Sequence, residues 1–98
     1  MVVNQASELR ERVRVARLRL AETAAELGTV LGLLGQHAEA EHLLREAVQL
    51  YESSPGPHRL RLAASLNALG AACAARGRLA EAERLYRRAL QIVNEEQR

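Results

Sequence analysis

The second half of this chain repeats the first. Laying residues 17–54 over residues 59–96, an offset of 42, gives identity at 16 of 38 positions, and the matches cluster. Arg17-Leu18-Arg19-Leu20-Ala21 recurs as Arg59-Leu60-Arg61-Leu62-Ala63, and Leu27-Gly28 as Leu69-Gly70. Gly35 returns as Gly77, and Ala38-Glu39-Ala40-Glu41 as Ala80-Glu81-Ala82-Glu83. Repeats of this length build solenoids, in which each unit buries an apolar face against the next. At 98 residues the chain is predicted to form one domain over 1–98. Repeat one spans about 17–54 and repeat two about 59–96, with 1–16 as an N-terminal helical extension.

Within each unit the apolar residues step by three or four, the period of a helix rather than a strand. Leu20, Ala24, Leu27, Leu31 and Leu34 form one such stripe, and Leu62, Leu66, Leu69 and Cys73 another. Gly35 and Gly77 should end these helices, because glycine takes the left-handed cap conformation without strain. A second helix follows each time. Residues 38–52 are read as turning Ala40, Leu43, Leu44, Ala47, Val48 and Leu50 inward. Residues 80–95 are read as doing the same with Ala82, Leu85, Tyr86, Ala89, Leu90 and Ile92. Ser53-Ser54-Pro55-Gly56-Pro57 is the one strong breaker, and Pro57 suits the first turn of the following helix. Upstream, Leu9, Val13 and Ala16 continue the first stripe, which predicts one long helix from about Ser7 to Leu34.

Only Tyr51 and Tyr86 are aromatic, so the core must come from Ala, Leu and Val, which suits close helix packing. Every basic residue is Arg and every acidic residue is Glu. The charges fall in bands: five Arg against two Glu in 1–20, one Arg against six Glu in 21–58, and eight Arg against four Glu in 59–98. Such banding orients partners more than it shapes the fold. A single Cys73 excludes an internal disulfide framework. No apolar run has the length of a membrane span or the plan of a signal peptide, so a cytoplasmic home is expected.

The residues also carry a family resemblance. Ala24, Leu27, Gly28, Leu31, Ala40, Leu44 and Ala47 fall on the spacing of the tetratricopeptide repeat, and Leu66, Leu69, Gly70, Cys73, Ala82, Tyr86 and Ala89 repeat it. Ser65-Leu66-Asn67-Ala68-Leu69 with Gly77-Arg78-Leu79-Ala80-Glu81-Ala82 resembles the kinesin-light-chain type of repeat. Ala24 and Cys73 depart from the pattern, being smaller than the bulky and aromatic residues usual there. Glu52 and Asn94 stand where proline is common. The resemblance implies an all-α superhelix of two helix-turn-helix repeats, with an extended N-terminal helix. It also implies a concave groove for a protein or peptide partner, lined by the first helix of each repeat. Glu22, Ala25, Glu26, Thr29, Gly32 and Leu33 would line it from repeat one. Ala64, Asn67, Ala68, Ala71, Ala74 and Ala75 would line it from repeat two. Glu22 and Glu26 would repel an acidic tail, so a basic or apolar segment fits better. An equally simple reading is that this alanine-rich surface packs against another helix.

No catalytic constellation emerges, and neither a cofactor nor a metal is expected. His37 and His42 do not share a helical face as a metal pair would, and Cys73 sits on a core stripe without a histidine nearby. Asn67 is read either as a holder of a partner's backbone or as a solvated helix residue. Leu9, Val13, Ala16 and Leu20 extend beyond the reach of a short partner helix, which predicts self-association, most simply as a homodimer. Arg10, Arg14 and Arg17 on one flank, with Arg12 and Arg19 on the other, offer a rival role on nucleic acid or an anionic surface. The interspersed Glu8 and Glu11, and the lack of aromatics to stack on bases, argue against nucleic acid.

Overall fold

The computed structural model describes residues 2–54 and 56–98. It contains four helices: α1 (Val2–Leu33), α2 (His37–Ser53), α3 (Arg59–Ala75) and α4 (Leu79–Glu96). The fold is all-α, with α1 and α2 forming one hairpin and α3 and α4 the other. Helix α3 lies over α2, whereas α1 scarcely touches α3. Helix α1 starts earlier than Ser7, because nothing between Val3 and Leu27 breaks it. Its 32 residues, about 48 Å at the rise of a regular helix, account for most of the 54 Å long axis. Helix α2 has 17 residues, so the first half of α1 runs beyond it.

Both hairpin turns use the same device. At the end of α1, Gln36 N–H donates to Leu31 C=O at 2.9 Å and Gly35 N–H to Gly32 C=O at 3.1 Å. At the end of α3, Arg78 N–H donates to Cys73 C=O at 2.9 Å and Gly77 N–H to Ala74 C=O at 3.0 Å. This is the Schellman pattern, and it requires the positive φ found at Gly35 (82°) and Gly77 (83°). The longer connection differs from its prediction. Helix α3 begins at Arg59, so Pro57 stands outside its first turn. The chain reverses instead at Gly56 (φ 127°), where His58 N–H donates to the Gly56 carbonyl at 2.9 Å. Pro55, part of the predicted breaker, lies outside the described residues.

The core follows the small residues of α1. Ala21, Ala24 and Gly28 are buried against α2, which supplies Ala40, Leu44 and Ala47. Leu20, Leu27 and Leu34, predicted to share a stripe with Ala24, are exposed instead, and Leu31 is half-buried. The hairpin closes on alanine and glycine because only small side chains let the helix axes approach, which turns the leucines outward. A Cβ added at Gly28 would lie 2.8 Å from Leu44 Cγ and 3.3 Å from the Ala40 carbonyl oxygen. In the second hairpin Leu62, Leu66, Leu69 and Cys73 are all buried. Leu43, Leu50 and Leu85, predicted inward, are half-buried; Tyr86 lays its ring against Gly70 of α3 yet stays partly exposed, while Leu90 is exposed on the outer side of α4.

Two glycines test this packing against each other. A Cβ at Gly70 would meet Tyr86 Cε1 at 2.9 Å, but that ring is partly exposed and has room to swing away. Leu44 is fully buried and the Ala40 contact is backbone, so neither yields at Gly28. Gly28→Ala should therefore destabilise by about 1–3 kcal/mol through overpacking. Gly70→Ala should stay near wild type, since a helix-propensity gain of about 1 kcal/mol offsets the smaller clash. Urea denaturation midpoints compare the two, and equal losses would contradict this account.

Candidate functional site

A hollow of about 590 Å³ opens between α1 and α3, with Tyr51 of α2 at its base. From α1 it is lined by Glu22, Ala25, Glu26, Thr29 and Val30, and from the second hairpin by Arg61, Ala64 and Ser65. The helical period brings the α1 residues to one face. Glu22 is ion-paired with Arg61 across the opening. Thr29 Oγ1 donates to the Ala25 carbonyl at 2.8 Å, so its hydroxyl is satisfied within α1. Burial pushes the Tyr51 hydroxyl above its ordinary pKa, so it stays neutral. The result is a largely apolar depression based on Tyr51 and walled by Ala25, Val30 and Ala64, with carboxylates on one rim.

Of the residues predicted to line a groove, Glu22, Ala25, Glu26, Thr29 and Ala64 meet at this hollow. Leu33, Asn67, Ala71 and Ala75 are exposed, and Gly32 and Ala68 half-buried, outside it. Ala74 belongs to a different hollow, on the outer side of the second hairpin with Leu79, Tyr86 and Leu90. Tyr51, Arg61, Val30 and Ser65 were not foreseen. Tyr51 is the chain's one deeply buried aromatic residue, and its place at the end of α2 was the available signal.

A buried ionic clasp lies where the hairpins join. Glu41 of α2 accepts from Arg78 at 2.9 Å and Arg76 at 3.2 Å, two residues that flank the Gly77 turn. Arg45 approaches the same carboxylate at 3.8 Å and pairs with Glu81 at 2.7 Å. The Arg45 guanidinium holds Glu81 below the usual carboxylate range. Cys73, fully buried, donates its thiol to Glu41 Oε1 at 3.5 Å. Burial, together with that hydrogen bond, pushes the thiol pKa upward, the opposite of what a nucleophilic cysteine needs. No group of three or more metal-ligating side chains occurs among the described residues. Among them, too, no helix is long and apolar enough to cross a membrane.

The sequence model of the tetratricopeptide repeat family matches residues 19–95. The chain belongs to that family. No curated protein and no solved structure matches it. As a tetratricopeptide repeat protein it is a helical repeat module of the protein-interaction kind, and its matched span contains the hollow, the clasp and both hairpin turns.

Leu9, Val13 and Leu20 are exposed, Ala16 with them, and Leu27 and Leu34 extend the same side of α1. Arg14 is paired with Glu11, while Arg10, Arg12, Arg17 and Arg19 flank that side.

Because the folded thiol of Cys73 ionises at higher pH than the ordinary value of 9.0, the unfolded chain loses its proton first. Between those points the folded state binds more protons, so stability falls as pH rises. Denaturation midpoints should decline above pH 9 and decline less steeply in Cys73→Ala. An equal slope in the variant would show that the thiol does not contribute.

Proposed function

We propose that this protein is a non-catalytic interaction module that takes an apolar or basic segment of a partner protein in the hollow between α1 and α3. The reading is carried by that hollow, a depression of about 590 Å³ based on Tyr51 and walled by small side chains. Its Glu22 and Glu26 rim disfavours an acidic segment. A small, rigid floor suits an extended or helical backbone, because little side-chain freedom is lost on docking. The exposed stripe of Leu9, Val13, Ala16 and Leu20 supports a second contact, with another copy of the same chain. Assembly through this N-terminal stripe and partner capture in the hollow then use successive stretches of α1.

Thr29→Arg with Ala64→Arg places two bulky cations over the floor at exposed positions. Fluorescence anisotropy against matched amphipathic peptides, one series basic and one acidic, should show binding of the basic series. The double variant should weaken it at least about tenfold, roughly 1.4 kcal/mol, with the circular dichroism spectrum unchanged. Preference for the acidic peptides, or equal binding by the folded variant, would overturn the groove assignment.

A further inference from the structure

Helix α1 carries a longer seam than the N-terminal stripe alone. Leu9, Val13, Ala16, Leu20, Thr23, Leu27, Val30 and Leu34 alternate steps of four and three, the heptad spacing of a coiled coil. All are exposed. Their equivalents one repeat later, Leu62, Ser65, Leu69 and Ala72, are buried in the second hairpin, whose α3 lies over α2. This fold therefore covers the same side of a helix wherever another helix precedes it.

We propose that a second copy of the chain covers the seam, its α1 lying antiparallel across a two-fold axis beside Ala21 and Glu22. The inference rests on the self-association reading above and fixes its orientation and register. In an antiparallel pair, first-position residues of one heptad meet fourth-position residues of the other. Leu9 then faces Leu34, Val13 faces Val30, Ala16 faces Leu27 and Leu20 faces Thr23, each twice. Every small residue meets a large one. Parallel, in-register pairing would stack Ala16 on Ala16 and Thr23 on Thr23. It would also bring Arg10, Arg12, Arg17 and Arg19 beside the same arginines of the second copy.

Charge selects the same arrangement. Glu26 makes no ion pair among the described residues. Antiparallel pairing sets it beside Arg19 of the second copy, and symmetry repeats the contact. Residues 9–20 of one α1, with five Arg and one Glu, then lie along residues 23–34 of the other, which hold Glu26 and no basic residue.

Stacking α1 of one molecule on α4 of another fits less well. Helix α4 has 18 residues against the 32 of α1, which leaves Leu9, Val13 and Ala16 uncovered. Leu34 and Gln36 would also stand where Arg76 and Arg78 stand, so Glu83 would lack the clasp that holds Glu41. The two-fold pair closes at two chains, whereas head-to-tail stacking does not. It also sets both hollows on one side of the dimer, because Arg19 and Glu26 flank the seam on the hollow's side. A partner with two docking segments would bind such a dimer bivalently.

Sedimentation velocity of the full chain at micromolar concentration should show a species of twice 10.8 kDa. Leu20→Glu with Leu27→Glu, both at exposed positions, should abolish it while helicity is retained. Glu26→Arg alone and Arg19→Glu alone should each weaken pairing about tenfold, through two ion pairs turned repulsive. Mixing those two variants should restore a dimer, since each then supplies the charge that the other needs. A folded monomer overturns both this proposal and the self-association reading. A dimer indifferent to the reversals and to mixing overturns the antiparallel register alone. Species that grow beyond two chains and are blocked by Leu90→Glu overturn it in favour of head-to-tail stacking.

Discussion

The packing of α3 over α2 is the contact on which the rest of this molecule depends. A helical hairpin of small residues closes on itself through one side of each helix and leaves a second apolar side on both. Between the hairpins that second side is used. Val48 of α2 is 7% exposed, and its repeat-equivalent Leu90 of α4, over which no described helix lies, is 61% exposed. Because α1 scarcely meets α3, the two hairpins stay splayed and the hollow lies between them. The buried Glu41 clasp ties this one interface to the turn that begins α4, so the groove's width follows from how α3 seats. A carboxylate in that position loses hydration and is held by several guanidinium donors, which makes the seat specific in direction.

Much of this architecture was legible in the sequence. The period, the glycines that end α1 and α3, and the buried Leu66, Leu69 and Cys73 all follow from local rules of helix capping and spacing. What the sequence did not reveal was which identical residues would be buried. Leu20 and Leu62 sit in the same pentapeptide, Arg-Leu-Arg-Leu-Ala, yet Leu20 is 57% exposed and Leu62 5%. Glu41 and Glu83 share the stretch Ala-Glu-Ala-Glu, and Glu41 is buried while Glu83 is exposed beside Arg87. Burial of these residues is decided by the neighbouring repeat, and local pattern carries no information about that neighbour. The same limit applies to the hollow. Its α1 wall follows from helical period, whereas Tyr51 and Arg61 join it only through the way the hairpins pack.

The function proposed for this molecule rests on surfaces left over by packing. The hollow is left between hairpins that diverge, and the seam is left on a helix that outruns its partner. Neither needs a reactive group, and the buried, protonated Cys73 offers none. The charge bands give these surfaces direction, with an acidic middle segment between two basic ones. On the proposed reading, a basic partner segment and a second basic α1 are both drawn to the acidic first hairpin, at adjoining faces of α1 that share Glu26 and Val30.

As an interface of defined polarity, the proposed seam of α1 would fix the distance between copies, and that distance reports polarity directly. A single nitroxide on Glu8→Cys, in a Cys73→Ala background, places one label near the start of each α1. Antiparallel pairing about Ala21 and Glu22 predicts one interspin distance of roughly 40 Å by double electron–electron resonance, from the rise per helical residue. A short distance, with the two labels side by side, would contradict the account, as would the absence of any dipolar coupling between copies.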